Sequence, residues 1–249
     1  MVDMGKLSLK EEFHVVYNDT IDSDIGVHVS SRPSIPSARE IINSFTIPGR
    51  DGSLTIRDGT VEDIAIQVEF SFTAYPDTWQ KVAYMARDWL LGHAGAVLRF
   101  SDMPGIFYKV KYVEVSDIER AHKKIGTFSA VFTCDGYQYL DTGLIGMPAG
   151  TLTNNYSTSH PVYKITATTD GTCTLTVGGK TIQATIAQNL TIDTDLMLAY
   201  RIDGTRIISN TALIMGNLDF KDLWLPHGTT AVSVSSGFTL QIQPNWRRI

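Results

Sequence analysis

A chain of 249 residues, 43% of them apolar, is long enough for two modest domains or one large all-β unit, and its composition excludes wholesale disorder. Its formal net charge of -5, without a concentrated basic run, excludes general binding along a phosphate backbone, although a local basic lining in an oligomer would escape that count. The charge is uneven: residues 1–150 hold 14 Lys plus Arg against 20 Asp plus Glu, whereas residues 151–249 hold 7 against 6 and lack Glu, which favours two domains.

In chain order, Phe13 to Tyr17 begins as a strand that Asn18-Asp19 turns. Asp19, Asp22 and Asp24 resemble a fragment of a cation loop, but the glycine and terminal Glu of the calcium pattern are misplaced, so IDSD reads as a loop. Gly26 to Ser31 is the next strand. Pro33 and Pro36 lack the N–H that a ladder needs and interrupt it. Ile41 to Ile47 returns as a strand, and the region reads as edge and loop rather than core. Pro48-Gly49, Asp51-Gly52 and Asp58-Gly59 read as turns, with a short strand from Ser53 to Arg57 between the last two. From Ile64 to Phe72 the residues Ile64, Ile66, Val68, Phe70 and Phe72 point one way and Ala65, Gln67, Glu69 and Ser71 the other, the period of a half-buried strand.

Tyr75-Pro76-Asp77-Thr78 starts the one convincing long helix, with Pro near its first turn and Asp77 beside the positive dipole end. Trp79, Val82, Ala83, Ala86, Trp89 and Leu90 recur at three and four residues until Gly92 ends the run. Packing on a sheet is the expected role of the tryptophan pair, in preference to a ligand platform. Ala96 to Phe100 and Phe107 to Val115 are strands joined by SDMPG. Tyr108, Val110, Tyr112 and Glu114 are expected on one face of the second, and Phe107, Lys109, Lys111, Val113 and Val115 on the other. Gly126 to Cys134 follows, with Phe128, Ala130 and Phe132 on one face.

The Gly/Thr/Asn-rich stretch DTGLIGMPAGTLTNN, Asp141 to Asn155, reads as a boundary and gives domains 1–146 and 147–249. Beyond it come short β runs: Val162 to Ala167, Thr172 to Val177, Lys180 to Ile186, Leu190 to Asp193, Leu198 to Ile202, Thr205 to Ile208, Ala231 to Val234 and Thr239 to Pro244. Gly178-Gly179 and Asp203-Gly204 are hairpin turns. With no amphipathic helix of normal length among these runs, a β-sandwich is the natural packing solution.

Cys134 and Cys173 have no CxxC or metal-ligand spacing and read as reduced structural thiols. The first thirty residues lack the continuous apolar core of a signal peptide, and no later segment reaches the ~20 apolar residues of a membrane span, so a soluble chain without an export signal is expected. GRDGSLTIRDG lacks the GxxxxGK[ST] arrangement of a phosphate loop and reads as hairpin glycines around an assembly loop. There Arg50 and Arg57 offer planar donor forks to carboxylates across a subunit interface, with ordinary solvated arginines as the competing reading. The histidines His14, His28, His93, His122, His160 and His227 make no HExxH. Among Asp170, Asp193, Asp195, Asp203, Asp219 and Asp222 nothing selects the pair, ~5 to 9.5 Å apart, that glycoside hydrolysis needs. GxSxG is absent as well. The expectation is therefore no enzyme, with no catalytic residue, metal or cofactor.

The whole-chain pattern carries a more specific signal. FTIPGRDGSLTI is followed by RDGTVEDI, IAIQVEFSF, DTWQKVAYMARDWLLG, YKVKYVE and GTFSAVFTCDGYQY; then come GTLTNNYSTSHPVYKI, VGGK, NLTIDTD and NLDFKDLWLPHGTTAVSVSSGFTLQIQPNWR. In order and spacing these segments resemble the distal tail proteins of long non-contractile-tailed bacteriophages, the siphophage baseplate or tail-tip hub proteins encoded by phages or prophages of Gram-positive bacteria. The resemblance implies a mainly β fold: an N-terminal split-barrel-like ring domain with one helix, plus a C-terminal galectin-like β-sandwich. It implies a homo-oligomer, a hexameric ring, that connects the tail-tube protein to the tail-tip or tail-associated protein and docks baseplate or receptor-binding proteins. DNA would pass only transiently through its channel. The location implied is the virion, at the distal end of the tail, after assembly in the host cytoplasm.

Residue by residue, Pro48, Gly49, Arg50, Asp51 and Gly52 match the family's early loop signature and, with Arg57, form the candidate assembly interface. Asp193 lies in the family's central ID region, and Pro226-His227-Gly228 stands where members often carry a PG-type turn, so that His227 is a departure. The galectin-like comparison leaves a carbohydrate-binding module for host cell-wall attachment as the alternative, with His160, Arg201, Asn217 and Trp224 of suitable type but without a contiguous sugar signature.

Overall fold

The computed structural model describes residues 13–93, 95–120, 122–167, 170–203, 206–209 and 213–249. The chain is mainly β and divides into two compact units, the first running to Gln138 and including Ile249, the second Tyr139–Arg248.

The first unit contains β1 (Val15–Tyr17), β2 (Thr20–Ile21), a one-turn helix α1 (Asp22–Ile25), β3 (His28–Ser31), β4 (Glu40–Thr46), β5 (Ser53–Val61), β6 (Ile64–Thr73), helix α2 (Trp79–Leu90), β7 (Val97–Phe100), β8 (Ile106–Val115) and β9 (Ile125–Cys134). Its main sheet runs in the order β2-β1-β7-β8-β9-β6-β3, while β4 and β5, among the described residues, pair only with each other. The backbone of the sheet is the β6–β9 ladder, in register from Ile64 opposite Cys134 to Thr73 opposite Ile125. The inward residues of β6 named from the alternation are all buried. Onto this face α2 lays Trp79, Ala83, Ala86, Trp89 and Leu90, so both tryptophans are core residues. Phe70 stacks on Phe128 at 5.2 Å and meets the edge of Trp89 at 5.8 Å, the offset and T-shaped geometries that aromatic rings favour.

Three local expectations change. IDSD is not a loop but the turn of α1: Asp22 is fully buried, accepts from its neighbour's Ser23 N–H at 2.9 Å and from His14 Nδ1 at 2.9 Å, and Gly26 leaves the helix with φ 81°. The Asp58-Gly59 pair is not a turn, because β5 continues through it to Val61. Gly59 at φ 70° absorbs a bulge where the register shifts between Glu40 and Ile42. In β8 the expected face assignment holds for Tyr108 and Val110, then inverts. A second bulge lies between Val110, opposite Cys134, and Tyr112, opposite Thr133. The extra residue, Lys111, shifts the phase, so Tyr112 is 54% exposed while Val113 and Val115 pack against the core.

In the second unit, β10 (Gln138–Leu140) leads in, followed by β11 (Met147–Pro148), β12 (Gly150–Asn154), β13 (Val162–Ala167), β14 (Gly171–Val177), β15 (Lys180–Ile186), β16 (Asn189–Asp193), β17 (Leu198–Asp203), β18 (Arg206–Ser209), β19 (Leu213–Ile214), β20 (Gly228–Val234), β21 (Phe238–Gln243) and β22 (Arg247–Arg248). One sheet has the order β11-β21-β13-β16-β17-β18 and the other β12-β20-β14-β15-β19. Tyr163, Ile165, Leu190, Ile192, Leu240 and Ile242 from the first share one core with Cys173, Leu175, Val177, Ile182, Ile186 and Val232 from the second, which makes the unit a β-sandwich. Gly178 and Gly179, at φ 56° and 84°, form the two-residue hairpin that pairs Val177 with Lys180. The Asp203-Gly204 turn falls on residues 204 and 205, outside the described residues.

The stretch read as a boundary is itself structured. β12, within it, pairs residue by residue with β20, from Gly150 opposite Val232 to Asn154 opposite Gly228. Both cysteines are free and buried, and burial pushes the Cys134 thiol up to about 12, aided by Asp135 and Asp63. No described helix is long and apolar enough to cross a membrane.

Candidate assembly interface

The five loop residues Pro48 to Gly52 come together at the tip of one element, the β4–β5 hairpin. Thr46 opposite Ser53 closes the loop, the Arg50 N–H donates to the Ile47 carbonyl at 3.2 Å, and Gly49 and Gly52 take φ of 81° and 78°. Every residue from Pro48 to Gly52 is exposed. Arg57 does not join them. It lies further down β5 opposite Ile42 and reaches Glu40 at 3.4 Å, an exposed pair within the hairpin.

The hairpin has two different faces. Because residues opposite each other in an antiparallel ladder share a face, Phe45 with Leu54 and Asn43 with Ile56 form one side, and Ile42 with Arg57, Ser44 with Thr55 and Thr46 with Ser53 form the other, where among these Ile42 is the one apolar side chain. Phe45 and Ile56 are 52% and 47% exposed, and Ile47 adds a further 41%-exposed side chain at the loop. An isolated two-stranded hairpin is marginal in water, and this one presents its apolar side to solvent. These apolar residues were not singled out from the sequence. Their signal was the alternation of Leu54 and Ile56 with Thr55 and Arg57, which loses its force once β5 is expected to stop at Arg57.

In the second unit, the sugar-type residues separate. His160 stacks on Trp224 with ring centroids 4.0 Å apart, donates from Nδ1 to Asp195 at 2.8 Å, and accepts at Nε2 from Arg247 Nη2 at 2.7 Å. Trp224 also borders a pocket of about 280 Å³ with Thr158, Lys180, Lys221, Asp222 and Thr230, whereas Arg201 and Asn217 do not line it. Lys180 is hydrogen-bonded to Asp222 and holds that carboxyl below the usual range, helped by the Asp219 N–H. Asp193, Asp219 and Asp222 have structural work. Asp219 and Asp222 form a capping box on the turn Phe220–Leu223, and Asp193 accepts from the N–H groups of Asp195 and Leu196 at 3.0 Å each. His227 Nδ1 lies 3.2 Å from the Tyr156 carbonyl. Among the described residues no three His, Cys, Asp or Glu side chains are grouped to hold a metal ion.

The model of the phage tail protein RIFT-related domain matches residues 21–134, the span from β2 to the end of β9. Those residues belong to that phage tail family. The siphophage resemblance read from the sequence therefore holds for the tail domain, and the arm-like β4–β5 hairpin lies inside it. The crystal structure of the SPP1 Dit (gp 19.1) protein, described as a paradigm of the hub adsorption apparatus in phages infecting Gram-positive bacteria, matches 96% of this chain and 100% of its own with a TM-score of 0.57 at 14% identity. The likeness thus extends past the tail domain into the sandwich and shows a common fold for both. No curated protein matches by sequence.

Proposed function

We propose that this tail protein is the noncatalytic structural hub of a siphophage distal tail: a hexameric ring that connects the tail tube to the tip and docks baseplate or receptor-binding components, with DNA passing transiently through its channel. The family of the tail domain and a fold shared with a protein described as a paradigm of a hub support the reading. The observation that carries it is the β4–β5 hairpin, whose exposed apolar face calls for a neighbour. A second copy of the tail domain is that neighbour, with the Pro48–Gly52 tip and Arg57 at the contact. Particle imaging of the full chain, alone and with the tail-tube and tail-tip proteins, tests this. The expected result is a six-fold ring with a central opening; dispersed single copies in the presence of those partners overturn it.

The pocket beside Trp224 favours one second reading, carbohydrate binding in host attachment, because an aromatic surface bordered by hydrogen-bonding side chains suits a sugar. Calorimetric titration with host cell-wall polysaccharide tests it. Binding that Trp224→Ala abolishes supports a lectin role, and absence of binding by an assembled ring removes it.

A further inference from the structure

The hairpin is held to the tail domain at its base. Among the described residues its strands pair with no other strand, and only Glu62-Asp63 separates β5 from β6. Three contacts converge there. The Glu62 N–H donates to the Arg39 carbonyl at 2.8 Å, closing the hairpin where it meets the domain. The Asp63 carboxylate accepts from Lys111 Nζ at both oxygens, 2.7 and 2.9 Å, and the same ammonium lies 3.4 Å from Asp135 Oδ1 at the end of β9. Gly136 completes the node: a Cβ there would stand 2.2 Å from the Glu62 carbonyl oxygen and 2.7 Å from the Val61 side chain, so only glycine permits this approach.

Lys111 reaches the node from the bulge in β8. A regular strand would have placed it opposite β9 with the alternation unbroken; as the unpaired extra residue it is re-aimed, which is a characteristic use of bulges. We propose that Lys111 is a positioning residue for the assembly hairpin: with Asp63, Asp135 and the close approach at Gly136, it fixes the angle at which the hairpin leaves the tail domain and so presents the apolar face in register with a neighbouring copy. The inference rests on the assembly reading of the hairpin. It assigns to an exposed lysine and a glycine, both far in sequence from the Pro48–Gly52 loop, control over the loop's direction.

The test uses the full chain with spin labels at Thr55→Cys on the hairpin and Gln80→Cys on α2; the native Cys134 and Cys173 are buried and do not label. The parent shows a single narrow distance peak. Lys111→Met, which keeps the aliphatic stem, broadens that peak severalfold and raises the concentration for half-assembly of the ring at least tenfold, while the melting temperature moves by only a few degrees. Asp63→Asn gives the same result from the other partner, and Gly136→Ala displaces the peak. A broad parent distribution, or a peak left unchanged by both Lys111→Met and Asp63→Asn, overturns the proposal. Replacement of residues 41–60 by a Gly/Ser turn separates the two claims. If that chain still forms rings, the assembly reading fails whatever the distances show. If it does not, while Lys111→Met leaves peak and assembly intact, the hairpin is an assembly element and the positioning role fails.

Discussion

The indole Nε1 of Trp89 donates a 3.0 Å hydrogen bond to the backbone carbonyl of Tyr17, tying α2 to β1 across 72 positions of the chain. The Tyr17 ring meets Trp89 edge-on at 6.3 Å and Phe132 at 5.3 Å, so one polar contact is set inside an aromatic cluster. Trp89→Phe keeps a ring in the core but removes the donor from a buried carbonyl, and should cost about 1–3 kcal/mol. Trp89→Ala adds a cavity and should cost about 3–5 kcal/mol. Urea denaturation followed by circular dichroism separates the two. Equal losses would show that the hydrogen bond contributes nothing beyond ring packing.

Asp22 supplies a pH signature. Burial pushes its carboxyl above the ordinary 3.8, against the opposing pull of His14 and the Ser23 N–H. A folded value above the unfolded one means that the carboxyl's contribution to stability is full below pH 3.8 and is lost as pH rises through the folded value. Asp22→Asn keeps an acceptor for Ser23 and cannot ionise. Its stability relative to the parent should therefore rise as the pH is raised above about 4, measured by denaturation at each pH. A constant difference across that window contradicts the assignment.

Arg247 closes the polar knot of the sandwich. It is 6% exposed, donates from Nε to the Thr158 carbonyl at 2.8 Å and from Nη2 to His160 at 2.7 Å, and His160 in turn leans on Trp224. Arg247→Met should destabilise the sandwich by about 1–3 kcal/mol. Arg247→Lys should not restore it fully, because a lysine lacks the planar fork that serves two acceptors at once. Thermal unfolding resolved by unit would show the loss in the second unit, with the first unaffected.

Ile56 separates assembly from folding. It is 47% exposed on the apolar face of the hairpin, so Ile56→Asp should change monomer stability by no more than about 0.5 kcal/mol. In the proposed ring the same substitution places a carboxylate against an apolar partner surface and should weaken assembly by at least about tenfold, or 1.4 kcal/mol. Mass photometry across a dilution series reads the shift. Rings of undiminished stability would remove the hairpin face from the interface.

Much of this architecture was legible because its causes are local. The alternation of Ile64 to Phe72, the three-and-four spacing from Trp79 to Leu90 and the Gly178-Gly179 turn each state a backbone geometry within a few residues, and each formed as read. The order and spacing of segments across the chain also carried the tail family. The Pro48–Gly52 loop was visible for the same reason, since its glycines mark a turn whatever surrounds it.

Tertiary structure decided what local chemistry leaves open. Asp58-Gly59 suits a turn and a bulge equally well, and only the pairing of Glu40 with Val61 and Ile42 with Arg57 makes it a bulge and lengthens the hairpin. Whether Gly150 to Asn154 is linker or strand depends on β20, far along the chain, which supplies the partners for its backbone groups. The β8 alternation was sound until its ladder with β9 inserted Lys111 as an extra residue, inverting every side chain after it. The sequence by itself determined the long alternating strands, the helix and the resemblance to the tail family, because period, turn chemistry and segment order are written along the chain. Register and the faces it exposes were settled only by the partner strands, because a ladder's phase belongs to two segments at once.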